Sequence, residues 1–272
     1  SAAHDRFQVE HVGIQQIYHG ACSSSPTVYT TQPIQSLITS SIGTKNVLDI
    51  AVKYRSKVLF LSDARVYGLL PDQKFSPSEE FFGSLNFADS NHAYIEGKRF
   101  AENLVQTYAS LYSLETKIVR LSTVYGPKMH LDDGRMIPDF ISRALRGADI
   151  VLTKDLASSS FLYSTDCIDA LEKLMLSDLG GIFNIGHGST YKITDLVKKI
   201  VQYTGSQSKV VEGVPSAGEE SLYRAWAEEC GVTNIVKIKD AIGWFPIVLL
   251  DEGLQKTIYY MKSLRGKKGI VR

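Results

Sequence analysis

Hydrophobic positions along the chain fall into short unbroken blocks separated by longer stripes at helical spacing. The run 14–21 predicts a short strand, and the Ser/Thr/Pro-rich stretch after it predicts a loop. A helix is expected from about residue 33 to 54, with Pro33 suited to its first turn. Val58-Leu59-Phe60-Leu61-Ser62 is an apolar block bounded by charge, the pattern of a strand buried on both faces. A helix carrying Tyr94 is expected to reach Tyr112, and 116–122 reads as the next strand. Short apolar strands alternating with helices predict a parallel α/β sheet.

Beyond Gly126-Pro127 the texture changes. A helix is expected over 136–146, a short strand near Ile150, a mostly helical stretch over 161–176 and a further sheet strand over 181–186. The remainder reads as a smaller helical region, with helices over 194–203, 238–242 and 254–261. There is no internal repeat and no low-complexity segment.

Composition narrows the classes of function. The 272 residues are 44% hydrophobic and 22% charged, as in ordinary globular chains. A net charge of +1 gives no electrostatic case for nucleic acid or an anionic membrane. The basic end, Arg265 to Arg272, reads as a solvated tail. Cys22, Cys167 and Cys230 are widely spaced and odd in number, so reduced thiols are expected and no metal site. No apolar run approaches the ~18 residues of a membrane span, and no signal peptide is recognisable. A cytoplasmic protein is expected.

The most informative residues are Tyr94 and Lys98, in Asn91-His92-Ala93-Tyr94-Ile95-Glu96-Gly97-Lys98-Arg99-Phe100-Ala101-Glu102. Four residues apart on a helix, they leave the same face. An ammonium beside a phenol favours the tyrosinate. Such a base can take a proton from a sugar hydroxyl while hydride leaves the same carbon. The spacing alone is common; its neighbourhood makes it specific. His19, His92, His130 and His187 have no evident catalytic partner, and Glu96 and Glu102 read as solvated or paired with Lys98 or Arg99.

That neighbourhood is an ordered series: His19-Gly20-Ala21-Cys22 with Ser25-Pro26, Gly43-Thr44-Lys45-Asn46, Val66-Tyr67-Gly68, the Tyr94–Glu102 stretch, Tyr125-Gly126-Pro127-Lys128-Met129, Asp132-Asp133-Gly134-Arg135, Asn184-Ile185-Gly186 and Ile242-Gly243-Trp244 with Pro246. In this order and spacing the chain resembles the extended short-chain dehydrogenase/reductases of the nucleotide-sugar epimerase/dehydratase family. Within it the resemblance is greatest to UDP-glucuronate decarboxylases (UDP-xylose synthases), then to dTDP-glucose 4,6-dehydratases.

The resemblance implies a Rossmann-like, doubly wound α/β fold, with a cofactor domain over 1–126 and 161–187. A smaller, mostly helical substrate domain would span 127–160 and 188–272. It implies NAD as cofactor, near Ala21, Ser62, Tyr94, Lys98 and Leu121, and a UDP- or dTDP-linked sugar near Thr123, Lys128 and Arg135. Tyr94, Lys98 and Asp63 occupy the catalytic positions. It also implies a homodimer built on the helices starting at Pro33 and Tyr94, whose stripes include Ile34, Leu37, Ile38, Ala101, Leu104 and Val105. The alternative is that these stripes face only the sheet.

Several positions depart from the family pattern. The glycine fingerprint G-x-x-G-x-x-G is absent, and two βα units, about sixty residues at roughly thirty per unit, are expected to be missing from the front of the fold. A preceding segment or a compensating partner would cover the surface so exposed. Asp63 stands where the family has Ser or Thr; ionised, it would oppose tyrosinate formation. Arg65 replaces an acidic residue needed for dehydration. Ser159 replaces an arginine, Thr123 an asparagine, and an arginine near the base-binding end is lost around 231–235. The expected activity is C4 oxidation of a nucleotide sugar followed by decarboxylation or epimerisation. Beside it stand a catalytically degenerate binding, regulatory or assembly subunit, and an NADP-linked reductase of small carbonyl compounds.

Overall fold

The computed structural model describes residues 13–68, 70, 75–228 and 233–268. In chain order the elements are β1 (Gln16–His19), α1 (Pro26–Thr31), α2 (Pro33–Ile38), α3 (Thr44–Tyr54), β2 (Lys57–Asp63), α4 (Ala93–Tyr112), β3 (Thr116–Leu121), β4 (Thr123–Tyr125), α5 (Met136–Arg146), β5 (Ile150–Leu152), β6 (Ser158–Ser159), β7 (Phe161–Tyr163), α6 (Ser164–Leu176), β8 (Gly181–Ile185), β9 (Tyr191–Lys192), α7 (Ile193–Thr204), β10 (Val210–Glu212), α8 (Glu220–Glu228), α9 (Val236–Ile242) and α10 (Leu250–Lys268).

The central sheet has the order β1-β2-β3-β8, with every pair parallel. Side chains alternate across it, as the pleat requires. Val58, Phe60 and Ile118 pack with Leu48 of α3 and Ala101 and Val105 of α4. Leu59 and Val119 point the other way, onto Ala170 and Leu174 of α6 with Trp244. A sheet buried on both faces is why β2 reads as an unbroken apolar block. This is the expected Rossmann-like α/β arrangement.

A second apolar cluster gathers Tyr125, Phe140, Trp226, Leu254 and Met261 from the later part of the chain. This region is less purely helical than expected, because β5 pairs in parallel with β10 and β6 antiparallel with β9. Helix α8 was not anticipated. The stretch 161–176 opens with strand β7, paired with β4, before α6 begins. Among the described residues, no helix is long and apolar enough to cross a membrane.

Three other differences bear on the site. The expected loop after β1 contains helix α1: Ser25 caps it by accepting from Val28 N–H at 3.4 Å, and Pro26 fills its first turn. The expected helix 33–54 is interrupted by a π-helical turn over Thr39–Gly43. Helix α4 packs against this turn through Gly97, where a Cβ would sit 3.0 Å from the Ser40 side chain. The predicted dimer stripe divides: Ala101 and Val105 are buried against the sheet, while Ile34 (72% exposed) and Leu37 face outward.

His19 closes β1. Its Nε2 lies 2.9 Å from Thr44 Oγ1 in a buried contact, and burial, aided by the charge of Lys98, lowers its pKa from 6.5 to about 4. The unfolded chain therefore binds an extra proton between those values, so stability falls as pH drops through that window. The loss expected is up to about 3 kcal/mol. Urea unfolding at pH 7 and pH 4 should show it, and His19→Gln should reduce the difference.

Candidate functional site

A cavity of about 310 Å³ opens beyond the carboxyl ends of β1, β2 and β3, where open α/β sheets place their ligands. Asp63 ends β2 and caps the following turn by accepting from Arg65 N–H at 2.9 Å. The same carboxylate is gripped by the Arg65 side chain, Nε donating to Oδ1 at 3.0 Å and Nη2 to Oδ2 at 2.8 Å. Arg65 also donates from Nη1 to Tyr29 Oη at 2.7 Å. Tyr29, brought in by α1, stacks on Tyr94 with ring centroids 4.8 Å apart. The guanidinium lies 4.7 Å from the centre of the Tyr94 ring.

Tyr94 donates its phenolic proton to Asp63 Oδ2 at 3.1 Å. Burial raises its pKa well above the ordinary tyrosine value, and the Asp63 charge raises it further against the opposing pull of Arg65. This corrects the expectation of a tyrosinate favoured by Lys98. Burial acts against the Asp63 charge too, but Arg65 outweighs it and holds the carboxyl below its usual range. Asp63 is therefore the ionised partner, and Tyr94 the phenol.

Lys98 is buried and donates to the Leu61 carbonyl at 2.7 Å. Burial lowers its pKa, partly offset by nearby Cys22 and Asp63. An ammonium has three N–H groups, so a ligand oxygen can be accepted beside the carbonyl.

A second buried pair braces this site from behind. Glu102, expected to be solvated or paired with Lys98 or Arg99, is 4% exposed and pairs instead with Arg120 of β3, Nη2 to Oε2 at 2.7 Å and Nε to Oε1 at 3.1 Å. Ser62 Oγ donates to the same carboxylate at 2.5 Å. Arg120 lies over the Tyr67 ring, and Tyr67 donates to Asn184 Oδ1 at 2.7 Å.

Of the residues singled out in the sequence, Asp63, Tyr94, Lys98, Ser62, Leu121, Thr123 and Arg135 line the cavity. Ala21 is exposed next to β1 and does not line it; Lys128 is exposed in a left-handed turn, φ 71°, and does not line it either. The Ser62 hydroxyl is committed to Glu102. Arg135 Nε stands 2.8 Å from Asp133 Oδ2, a charge contact without hydrogen-bond alignment.

Sequence reasoning missed Tyr29 and the pairing of Arg65 with Asp63. It also missed three hydroxyls in the cavity wall that have no hydrogen-bond partner among the described residues: Ser122 Oγ, Ser160 Oγ and Thr233 Oγ1. Ser122 and Thr233 flank Gly186, where a Cβ would come within 2.6 Å of Thr233 Oγ1. Residues 231–232 lie outside the described residues. Among the described residues no group of three His, Cys, Asp or Glu side chains could hold a metal ion.

The residues present fit the nicotinamide-ribose end of a dinucleotide, with a buried ammonium and a phenol at the sheet's carboxyl edge. The 272 residues carry no G-x-x-G-x-x-G turn for its pyrophosphate.

Glu102 links α4 to β3 and β2, so its loss should be costly. Glu102→Ala leaves Arg120 buried without a counter-charge and should destabilise by about 3–5 kcal/mol, measured by urea unfolding. A cost below about 1 kcal/mol would mean that water reaches the pair.

Comparison with known proteins gives a consistent result. The sequence model of the NAD dependent epimerase/dehydratase family matches residues 2–186. UDP-glucuronic acid decarboxylase 1 of Xenopus tropicalis is 33% identical over 262 residues, covering 96% of this chain and 60% of that protein. UDP-glucuronic acid decarboxylase 5 of Arabidopsis thaliana is 33% identical over 255 residues, covering 92% of this chain and 71% of that protein. The chain thus spans roughly three-fifths to seven-tenths of the length of these two relatives. Among solved structures, UDP-glucose 4-epimerase of Thermotoga maritima with UDP-glucose aligns at TM-score 0.78 and 24% identity, over 92% of this chain and 78% of that one. UDP-glucose 4-epimerase of Thermus thermophilus in complex with NAD aligns at 0.76 and 22%, over 91% and 78%. At these identities the structural likeness speaks for the fold.

Proposed function

Because the chain belongs to the NAD dependent epimerase/dehydratase family, we propose that it modifies a nucleotide sugar with NAD, by oxidation at C4 followed by epimerisation or decarboxylation. The observation that carries this reading is the Tyr94–Asp63 hydrogen bond at the wall of the cavity. A bound NAD supplies the hydride acceptor for C4. Lys98 would hold the nicotinamide ribose. Arg135, at the same cavity and only loosely aligned with Asp133, would face the diphosphate.

The proton takes a two-step path. The sugar O4–H donates to Tyr94 Oη while Tyr94 passes its own proton to Asp63 Oδ2, so a tyrosinate need not persist in the buried site. Arg65 and Tyr29 hold the acceptor in place. The raised pKa of the phenol and the lowered pKa of the carboxyl both oppose proton transfer in the resting site, so Asp63 takes the proton only as Tyr94 receives that of the sugar.

The relay fixes the sign of the pH dependence. Wild-type turnover, followed by chromatography of UDP-glucose or UDP-glucuronate with NAD, should be flat through neutral pH and fall only in acid, as Asp63 protonates. In Asp63→Ser the proton must leave Tyr94 to solvent, so neutral activity should drop about a hundredfold and rise with alkalinity. Tyr94→Phe should lose turnover at every pH. Undiminished activity in Tyr94→Phe would end the proposal, and binding of NAD and sugar without turnover would leave a binding subunit in its place.

The assembly we propose is a homodimer through α2 and α4. Ile34 and Leu37 on α2, and Phe100 and Leu111 on α4, are exposed apolar residues, and Phe100, Leu104 and Leu111 share one helix face. Sedimentation should give twice the 30.1 kDa chain mass, and Phe100→Glu should give the monomer. A monomeric wild-type chain would refute this arrangement.

A further inference from the structure

From the groups gathered around the first thiol of the chain, we infer that Cys22 is a modification site. It takes up an anionic low-molecular-weight disulfide by thiol–disulfide exchange, and the adduct keeps the dinucleotide out. Exclusion of the dinucleotide rests on the cofactor reading above; formation of the adduct does not.

Cys22 stands just beyond the end of β1 and lines the same cavity as Tyr94 and Lys98. It is half-buried at the cavity wall, whereas Cys167 is buried and loss of water pushes its thiol up to about 12. Cys22 Sγ and Ser40 Oγ are 3.3 Å apart, and the hydroxyl can donate to the sulfur. Burial lowers the pKa of Lys98, and among the nearby groups Cys22 opposes that most, which places the thiol within electrostatic reach of the ammonium. A partly exposed thiol beside a cation is the setting in which cysteines react. The proton path through Tyr94 and Asp63 makes no use of it.

The cavity calls for a ligand independently of the thiol. Ser160 Oγ and Thr233 Oγ1, in residues 1% and 4% exposed, line it without a hydrogen-bond partner among the described residues. Such hydroxyls are costly until a ligand meets them. Charge then selects the ligand. Among the described residues, Arg65, Lys98 and Arg135 line the cavity against the single carboxylate of Asp63. Asp63 is closed on Arg65, and Arg135 meets Asp133 without hydrogen-bond alignment. The space beside Cys22 is therefore electropositive, drawing an anionic reagent and repelling a cationic one. Carboxylates of the bound half can also take spare N–H groups of Lys98 and Arg135.

The exchange balances without an outside oxidant. The Cys22 thiolate attacks one sulfur of the disulfide; a new S–S bond forms and the old one breaks. The other half departs as a thiolate and takes up the proton that Cys22 released. Excess thiol reverses the step. The retained half lies beside Lys98 and Tyr94, in the space assigned to the nicotinamide ribose.

The test treats the full chain with glutathione disulfide, or with the cationic disulfide cystamine, and reads adducts by intact mass and peptide mapping. Each rate is divided by that of the urea-unfolded chain, which removes the intrinsic reactivity of the reagent. Glutathione disulfide should modify Cys22 at least about tenfold faster than Cys167, and at Cys22 it should outpace cystamine. Excess NAD should slow this adduct at least about tenfold. Calorimetry should show no NAD binding by the adduct, and dithiothreitol should restore it. Cys22→Ser should still bind NAD after the same treatment; if that variant does not fold, Cys22→Ala serves the same comparison. Labelling of Cys167 ahead of Cys22, equal normalised rates for the two reagents, or an adduct that leaves NAD binding intact overturns the inference. No heat with NAD on the untreated chain refutes the cofactor reading instead, and the comparison of the two reagents then decides the adduct site alone.

Discussion

An ionised carboxylate closed off from water has to carry its counter-charge with it, and the carboxyl edge of this sheet is built around two of them. Asp63 is met by Arg65 and Glu102 by Arg120. The desolvation of four charged groups works against folding, and bidentate geometry with satisfied neighbours makes the arrangement tolerable. The consequence is rigidity with a direction. The Glu102 pair joins β2, α4 and β3, while the Asp63 pair reaches through Tyr29 to α1. The elements that frame the cavity are thus fixed by charge as well as by the apolar layers on either face.

Tyr94 takes its chemical character from the same constraint. Its helical spacing from Lys98 suggests a base activated by a cation, yet the ammonium is turned to the Leu61 carbonyl and the phenol to Asp63. In a buried site the hydrogen-bonded neighbour and the loss of water outweigh a charge that is merely near.

Features set by local spacing were legible in the sequence. The strands of the central sheet, helix α4 and the Tyr94–Lys98 face all follow from patterns within one element. The helix after Ser25 was signalled by a capping serine before a proline, but a run of Ser and Thr reads more readily as loop. Glu102 reads from the sequence as solvated or paired within its own helix, because its partner Arg120 is eighteen residues away on a strand and only the fold joins them. The unpartnered hydroxyls come from three separate segments, at Ser122, Ser160 and Thr233, and no spacing connects them. Ala21 and Lys128 were assigned by motif position; neither lines the cavity, although Gly20 and Cys22 on either side of Ala21 do.

Asp63 and Arg65 show most clearly how single-position reading falls short. Against the family pattern each looks like a loss: a hydroxyl replaced by an acid, and an acid replaced by a base. Together they are one change. Where the pattern has its carboxylate at position 65, this chain has one at 63, hydrogen-bonded to Tyr94, with Arg65 as its counter-ion. Asp63 without Arg65 would be a buried unpaired anion, and Arg65 without Asp63 an unneutralised cation beside two stacked aromatic rings. Relative to the pattern, the pair raises the local charge from minus one to zero and puts a proton acceptor directly on the phenol. In place of the pattern's acid at 65, the site has a carboxylate that accepts the hydrogen bond of Tyr94.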